Sequence, residues 1–158
     1  MESQNDHQSI LDKVKGGLSV IILRVKASEL FTKPNPSPED IKSACCVVDV
    51  LNDKVACQGD ISNFETQVYP KSWVIWHGML EEEEGSESYE IALDFVLIKK
   101  PSSKIFNKVI YLQDDGTVLA KTKNNAKSKE KEPYEITFTL IKDGTQHTYT
   151  LDPWVFIK

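Results

Sequence analysis

The sequence predicts an all-β fold: a single-domain β-sandwich, jelly-roll-like, of about ten strands with one or two short helices. Three observations carry this expectation. Apolar and polar residues alternate with a period of two over most of the chain, the pattern of half-buried strands. Turn dipeptides fall between the alternating runs, at Asn52-Asp53, Asp115-Gly116 and Asp143-Gly144. Helical periodicity is confined to short segments. At 158 residues, with 40% hydrophobic and 27% charged residues, the chain can build one substantial core.

Residues 1–17 read as a polar N-terminal extension and residues 18–158 as the sandwich domain. In the extension, QSILDKVK (8–15) suits a short helix ending at Gly16-Gly17. LSVIILRV (18–25) is apolar on both faces, as a central strand covered on both sides would be. Ser37-Pro38-Glu39-Asp40 starts a helix: a serine N-cap, a proline in the first turn, and acids beside the positive end of the dipole. ACCVVDVL (44–51) and KVACQ (54–58) are paired strands. A two-residue loop at Asn52-Asp53 would set Val50 opposite Val55 and Val48 opposite Cys57.

Further strands are expected at ISNFETQV (61–68), SWVIWHGM (72–79), KIFNKVIYL (104–112) and GTVLAK (116–121). In ESYEIALDFVLIKK (87–100), Tyr89, Ile91, Leu93, Phe95 and Leu97 share one face. In PYEITFTLIK (133–142), Tyr134, Ile136, Phe138 and Leu140 point inward, with Glu135, Thr137 and Thr139 outward. The ending TYTLDPWVFIK (148–158) breaks this logic, because strict alternation would put Trp154 and Phe156 on the polar side with Thr150 and Asp152. A bulge at Asp152-Pro153 would turn both aromatics inward. The alternative is an unbulged strand whose far face a partner subunit covers.

Composition narrows the function. A net charge of -5 argues against nucleic acid as a partner, since such proteins need a basic surface to release counterions. No apolar run is long enough to span a bilayer, and the N-terminus lacks the pattern of a secretory signal, so no membrane role and a cytoplasmic location are expected. Cys45, Cys46 and Cys57 make an odd count and read as small buried hydrophobes. They lack the companions a zinc site needs, and no metal or other cofactor is predicted. EEEEGSE (81–87) and KTKNNAKSKEKE (121–132) separate strong strands and read as solvated loops.

No catalytic motif is present, and no catalytic residues are assigned. His77 with Asp60 or Asp94 is the acid–base pairing to weigh, and nothing in the sequence brings such a pair together. The aromatic residues are more informative. Trp73 and Trp76 are an odd number of residues apart and take opposite strand faces, so at most one fills the main core. Trp73, Trp154 and Phe156 are therefore candidates for core closure or an interface. A glycan-binding reading would use Trp76 as the stacking ring, with His77, Asp60 and Gln58 reaching the sugar hydroxyls.

The order of SVIILRV, the ASELFTKPNPSPEDI excursion, the VACQGDISNFETQVYPKSWVIWHGM block and the closing LDPWVFIK resembles the bacterial inclusion body protein family (AidA/PixA type). Gly59, Trp76 and Asp152-Pro153-Trp154 stand where that family has a glycine turn, a tryptophan-bearing strand and an Asp-Pro-aromatic ending. Cys57-Gln58-Gly59 replaces the glycine-rich turn. The resemblance implies a β-sandwich in a bacterial cytosolic protein that accumulates as inclusions. It brings no catalytic residues with it. The expectation is thus a non-enzymatic, self-associating protein, a C2 dimer as its simplest closed form. A lectin-like carbohydrate-binding sandwich is the alternative.

Overall fold

The alternating runs become eleven strands in a computed structural model, which describes residues 17–81, 88–98 and 102–158, without the side chains of 108–110. The expected extension and its helix at 8–15 lie outside the described residues, Gly17 apart, as does most of the acidic loop. The strands are β1 (Leu18–Val25), β2 (Cys45–Asp49), β3 (Lys54–Cys57), β4 (Glu65–Val68), β5 (Trp73–Leu80) and β6 (Glu90–Ile98). There follow β7 (Phe106–Leu112), β8 (Val118–Thr122), β9 (Lys131–Lys142), β10 (Thr145–Leu151) and β11 (Trp154–Ile157). Two short helices, α1 (Ala27–Phe31) and α2 (Pro38–Ser43), lie between β1 and β2.

One sheet has six strands in the order β3-β2-β1-β5-β8-β7. The other has five, β10-β9-β11-β4 with β6 on the remaining edge of β9. Most pairs are antiparallel, but β1–β5 and β4–β11 are parallel, so both sheets are mixed. As expected, β1 is central, with β2 and β5 on either side. Ile21, Leu23 and Val25 face inward and are buried, while Val20, Ile22 and Arg24 on the other face are only half-buried. From the second sheet, Tyr134, Ile136, Phe138 and Leu140 of β9 meet them, all fully buried as the alternation predicts.

The centre of the sandwich is polar at one point. Trp76 donates its indole N–H to the Tyr134 hydroxyl at 3.3 Å, and that hydroxyl also hydrogen-bonds the Thr66 hydroxyl at 3.2 Å. The Trp76 ring meets Tyr134 edge-on and lies near Phe106, each centroid 5.8 Å away. This joins β5, β9 and β4 through groups that would be costly to bury unpaired. Burial pushes the Tyr134 phenol up to about 12 despite these hydrogen bonds.

Helix α2 forms as its sequence dictates. The Ser37 hydroxyl accepts from the Asp40 N–H at 3.1 Å, and the Asp40 carboxylate accepts from the Ser37 N–H at 3.0 Å. These bonds and Lys33 hold the Asp40 carboxyl below the usual range. Helix α1 is held by burial of Ala27 and Leu30, having no side-chain cap, and alternation reasoning had no signal for it. The strand expected over 61–68 is confined to β4. Gln58–Asn63 is a 3-10 turn, with Gln58 at a φ of 57°.

The β2–β3 hairpin differs from expectation in register. Val48 faces Val55 and Cys46 faces Cys57, with Val50–Asp53 as the loop. A two-residue turn of the favoured kind needs positive φ at both central residues, and only Asp53, at 51°, has it. Asn52 is instead tied back to the buried Asp49 carboxylate at 2.9 Å, which also accepts from the Gln67 N–H at 3.2 Å. This register corrects the expectation of three unpaired cysteines, because Cys46 and Cys57 form a cross-strand disulfide with a Cα separation of 4.1 Å. Cys45 is free and buried, its thiol pushed up to about 12 by burial and the nearby Glu29. The loop closed by the disulfide is short, so replacing both bridged cysteines by serine should lower stability by roughly 2–3 kcal/mol. Urea unfolding checks this, with the loss expected under oxidising conditions and absent in excess reductant.

The expected bulge lies in another strand. Leu151 is opposite Ile136 and Trp154 is opposite Pro133, three residues on in one strand and three back in the other. No residue is therefore inserted at Asp152-Pro153. Leu151, Pro153, Val155 and Ile157 stay inward, and Trp154 and Phe156 lie half-buried on the outer face. Register shifts fall instead in β7, between Phe106 and Ile110, and in β6, between Leu93 and Phe95. There the Asp94 carboxylate accepts from the Thr139 hydroxyl at 2.6 Å, and the phase reverses beyond it. Val96 is buried, whereas Phe95 and Leu97 are 50% and 47% exposed on the side opposite to that expected.

Candidate functional site

The outward face of the six-stranded sheet is built from the residues that alternate with the core. Pairing registers arrange them in rows across the strands. One row runs Val55, Val48, Ile22 and His77. The next passes through Val20, Ile75, Leu119 and Tyr111, and Leu18, Trp73 and Lys121 make a third. Cys57, Cys46, Arg24 and Met79 form the row on the other flank, so the disulfide is part of this face. Val55, Met79 and Tyr111 are exposed, while Val20, Ile22, Ile75 and Trp73 are half-buried by one another. The Lys121 ammonium lies 5.5 Å from the Trp73 ring centroid.

The residues of the glycan-binding expectation do not assemble. Trp76 is 1% exposed and points into the core, so its ring offers no face to a sugar. His77 follows it on β5 and points to the outer face. Gln58 and Asp60 are exposed on the 3-10 turn after β3, with β2 and β1 between their strand and His77. The acid–base pairing with Asp94 is no closer to forming, since Asp94 bonds Thr139 in the other sheet. Among the described residues no cluster of His, Cys, Asp and Glu could hold a metal ion, and no helix is long and apolar enough to cross a membrane.

Trp154 and Phe156 sit on the outer face of the second sheet, beside Glu65 and Gln67 of β4. Lys131 lies over the Trp154 ring at 4.6 Å and pairs with Glu65 at 2.6 Å, which shields much of that aromatic surface. Trp73 has Lys121 over its ring and Leu18 beside it, and belongs to the wider apolar face. Sequence reasoning singled out Trp73 and an apolar patch of Val48, Val50, Val55 and Cys57 on the β2–β3 hairpin, but missed the face that joins them. Val20 and Ile22 were expected to be covered, because a strand apolar on both sides suggests cover on both sides.

The fold and this face define a class: an all-β two-sheet sandwich whose larger sheet is covered on one side only by the described residues. Comparison with solved structures finds similarity to the crystal structure of an inclusion body protein, PixA, from Burkholderia cenocepacia. The TM-score is 0.57 at 11% identity, over 89% of this chain and 95% of the other, and the likeness is one of fold. No family profile matches the sequence, and no curated protein matches it.

Proposed function

We propose that this is a non-enzymatic, self-associating cytosolic protein of the inclusion-body type, which pairs with a second copy through the outer face of its six-stranded sheet. The apolar continuity of that face across the strands supports the reading. Strand spacing of about 4.8 Å and a two-residue repeat of about 6.8 Å give the four rows together, the flanking one included, roughly 490 Å² per copy. Two such faces together bury just under about 1,000 Å², the size of a weak, reversible interface. Pairing about a two-fold axis would set equivalent rows against each other and bring apolar residues out of water. The fold neighbour is itself an inclusion body protein, which favours accumulation at high concentration as the setting.

Sedimentation velocity over a concentration series tests the association. A dimer is expected at tens of micromolar, weakening on dilution and little affected by salt because the face is apolar. A monomer at every concentration and salt would contradict it.

A further inference from the structure

The strand β10 is an edge of its sheet: among the described residues no further strand pairs with its outer side, although helix α2 packs near it. Its hairpin with β9 closes over Asp143 and Gly144, at positive φ of 50° and 78°, with Lys142 opposite Thr145. In such a ladder bonded and non-bonded pairs alternate, so His147 and Tyr149 direct their backbone groups to β9. Gln146, Thr148 and Thr150 direct theirs away from it. The side chains agree with this phase, because the closely approaching pairs are the non-bonded ones. The hydroxyls of Thr139 and Thr148 are 2.8 Å apart, and those of Thr137 and Thr150 are 3.2 Å apart.

Among the described residues, no backbone group bonds the outward N–H and C=O of Gln146, Thr148 or Thr150. The strand TQHTYTL carries no lysine, no carboxylate, no proline and no register shift, so its own sequence does not blunt the edge, and the 33–41 segment beside it leaves a cleft rather than a pairing partner. Beside it lies a cleft of about 560 Å³, with Pro34, Pro36 and Ile41 on one wall and β10 on the other. Tyr149 borders this cleft, and its hydroxyl is buried without a hydrogen-bond partner in the described structure.

We propose that this cleft takes an extended peptide segment of another polypeptide, added as a strand to β10. Alternating donors and acceptors repeating every two residues, about 6.8 Å, match another extended backbone and no sugar or nucleotide. Side chains turned to the inner side of the added strand meet Ile41, the two prolines and the His147 ring, which rests on Phe31 at 4.4 Å. Apolar residues suit those positions, and polar ones suit the threonine side. Lys33 at the rim is paired with Asp40 at 3.7 Å, so the affinity comes from backbone pairing and changes little with salt. The site is separate from the apolar sheet face, and neither depends on the other.

The test uses a fluorescein-labelled, end-blocked heptapeptide of alternating threonine and valine with the full-length protein. Expected are saturable anisotropy and at least tenfold slower amide exchange at Gln146, Thr148 and Thr150. N-methylating the peptide on alternate residues in the bonding phase should weaken binding at least tenfold, while methylation in the other phase leaves it unchanged. Thr148→Pro removes an outward donor without removing a bond to β9, and should match the first methylated peptide while near-UV circular dichroism stays native. No binding, binding without protection of those three amides, or indifference to the phase of methylation would each overturn the proposal. The methylated peptides leave the protein unaltered, so they decide the matter even if the proline variant misfolds.

Discussion

Replacing Trp76 by alanine is expected to lower folding stability by about 3–5 kcal/mol, a large share of what a domain of this size has. The indole fills the space between the sheets against Tyr134 and Phe106. Its loss leaves a cavity, and it also takes from the Tyr134 hydroxyl a donor that burial makes hard to replace. Trp76→Phe should recover most of the packing but not the hydrogen bond, and so fall between the two. Urea denaturation of the three proteins measures the series. A loss below about 1 kcal/mol for the alanine variant would show the ring not to be a core element.

Removing residues 153–158 is expected to abolish cooperative folding. Strand β11 lies between β4 and β9 and is the only strand that β4 pairs with among the described residues. Val155 and Ile157 are fully buried, and each contributes about 1.5–3 kcal/mol. Losing both, with hydrogen bonds on two edges, approaches the whole stability of a small domain. Thermal unfolding of the truncated chain should show no sharp transition, and a soluble, cooperative truncation would overturn this account. The same strand decides how the ending is read. Trp154 and Phe156 are outward, so Val155, Ile157 and the ladders do the anchoring.

The strands were legible because their alternation is local: β9 falls where Tyr134, Ile136, Phe138 and Leu140 place it, and α2 follows from its serine cap, proline and first-turn acids. Register was less legible, since it depends on partners distant in sequence. Strict alternation in β6 gives no sign that Asp94 will bond Thr139 and reverse the phase, which is why Phe95 and Leu97 were expected on the face of Leu93. The reverse error occurred at Asp152-Pro153, where proline and two large aromatics argued for a bulge. There the sheet accepts the aromatics outside, one of them under Lys131. The disulfide was hidden by the odd cysteine count and by an assumed tight turn, which put Val48 rather than Cys46 opposite Cys57. The outer face was hidden because an apolar residue on a strand carries no mark of which layer will cover it. Only the sheet order, which places no described element over Val20 and Ile75, makes that visible.

The most direct test of the central claim is sedimentation equilibrium on two variants that place a charge on opposite faces, Ile75→Lys and Phe95→Lys, with near-UV circular dichroism confirming the native fold of each. Burying an unpaired ammonium in the paired face should weaken self-association roughly 100-fold for Ile75→Lys. The Phe95→Lys protein should associate like the unsubstituted chain. Equal weakening in both, or none for a folded Ile75→Lys, would contradict association through the six-stranded sheet.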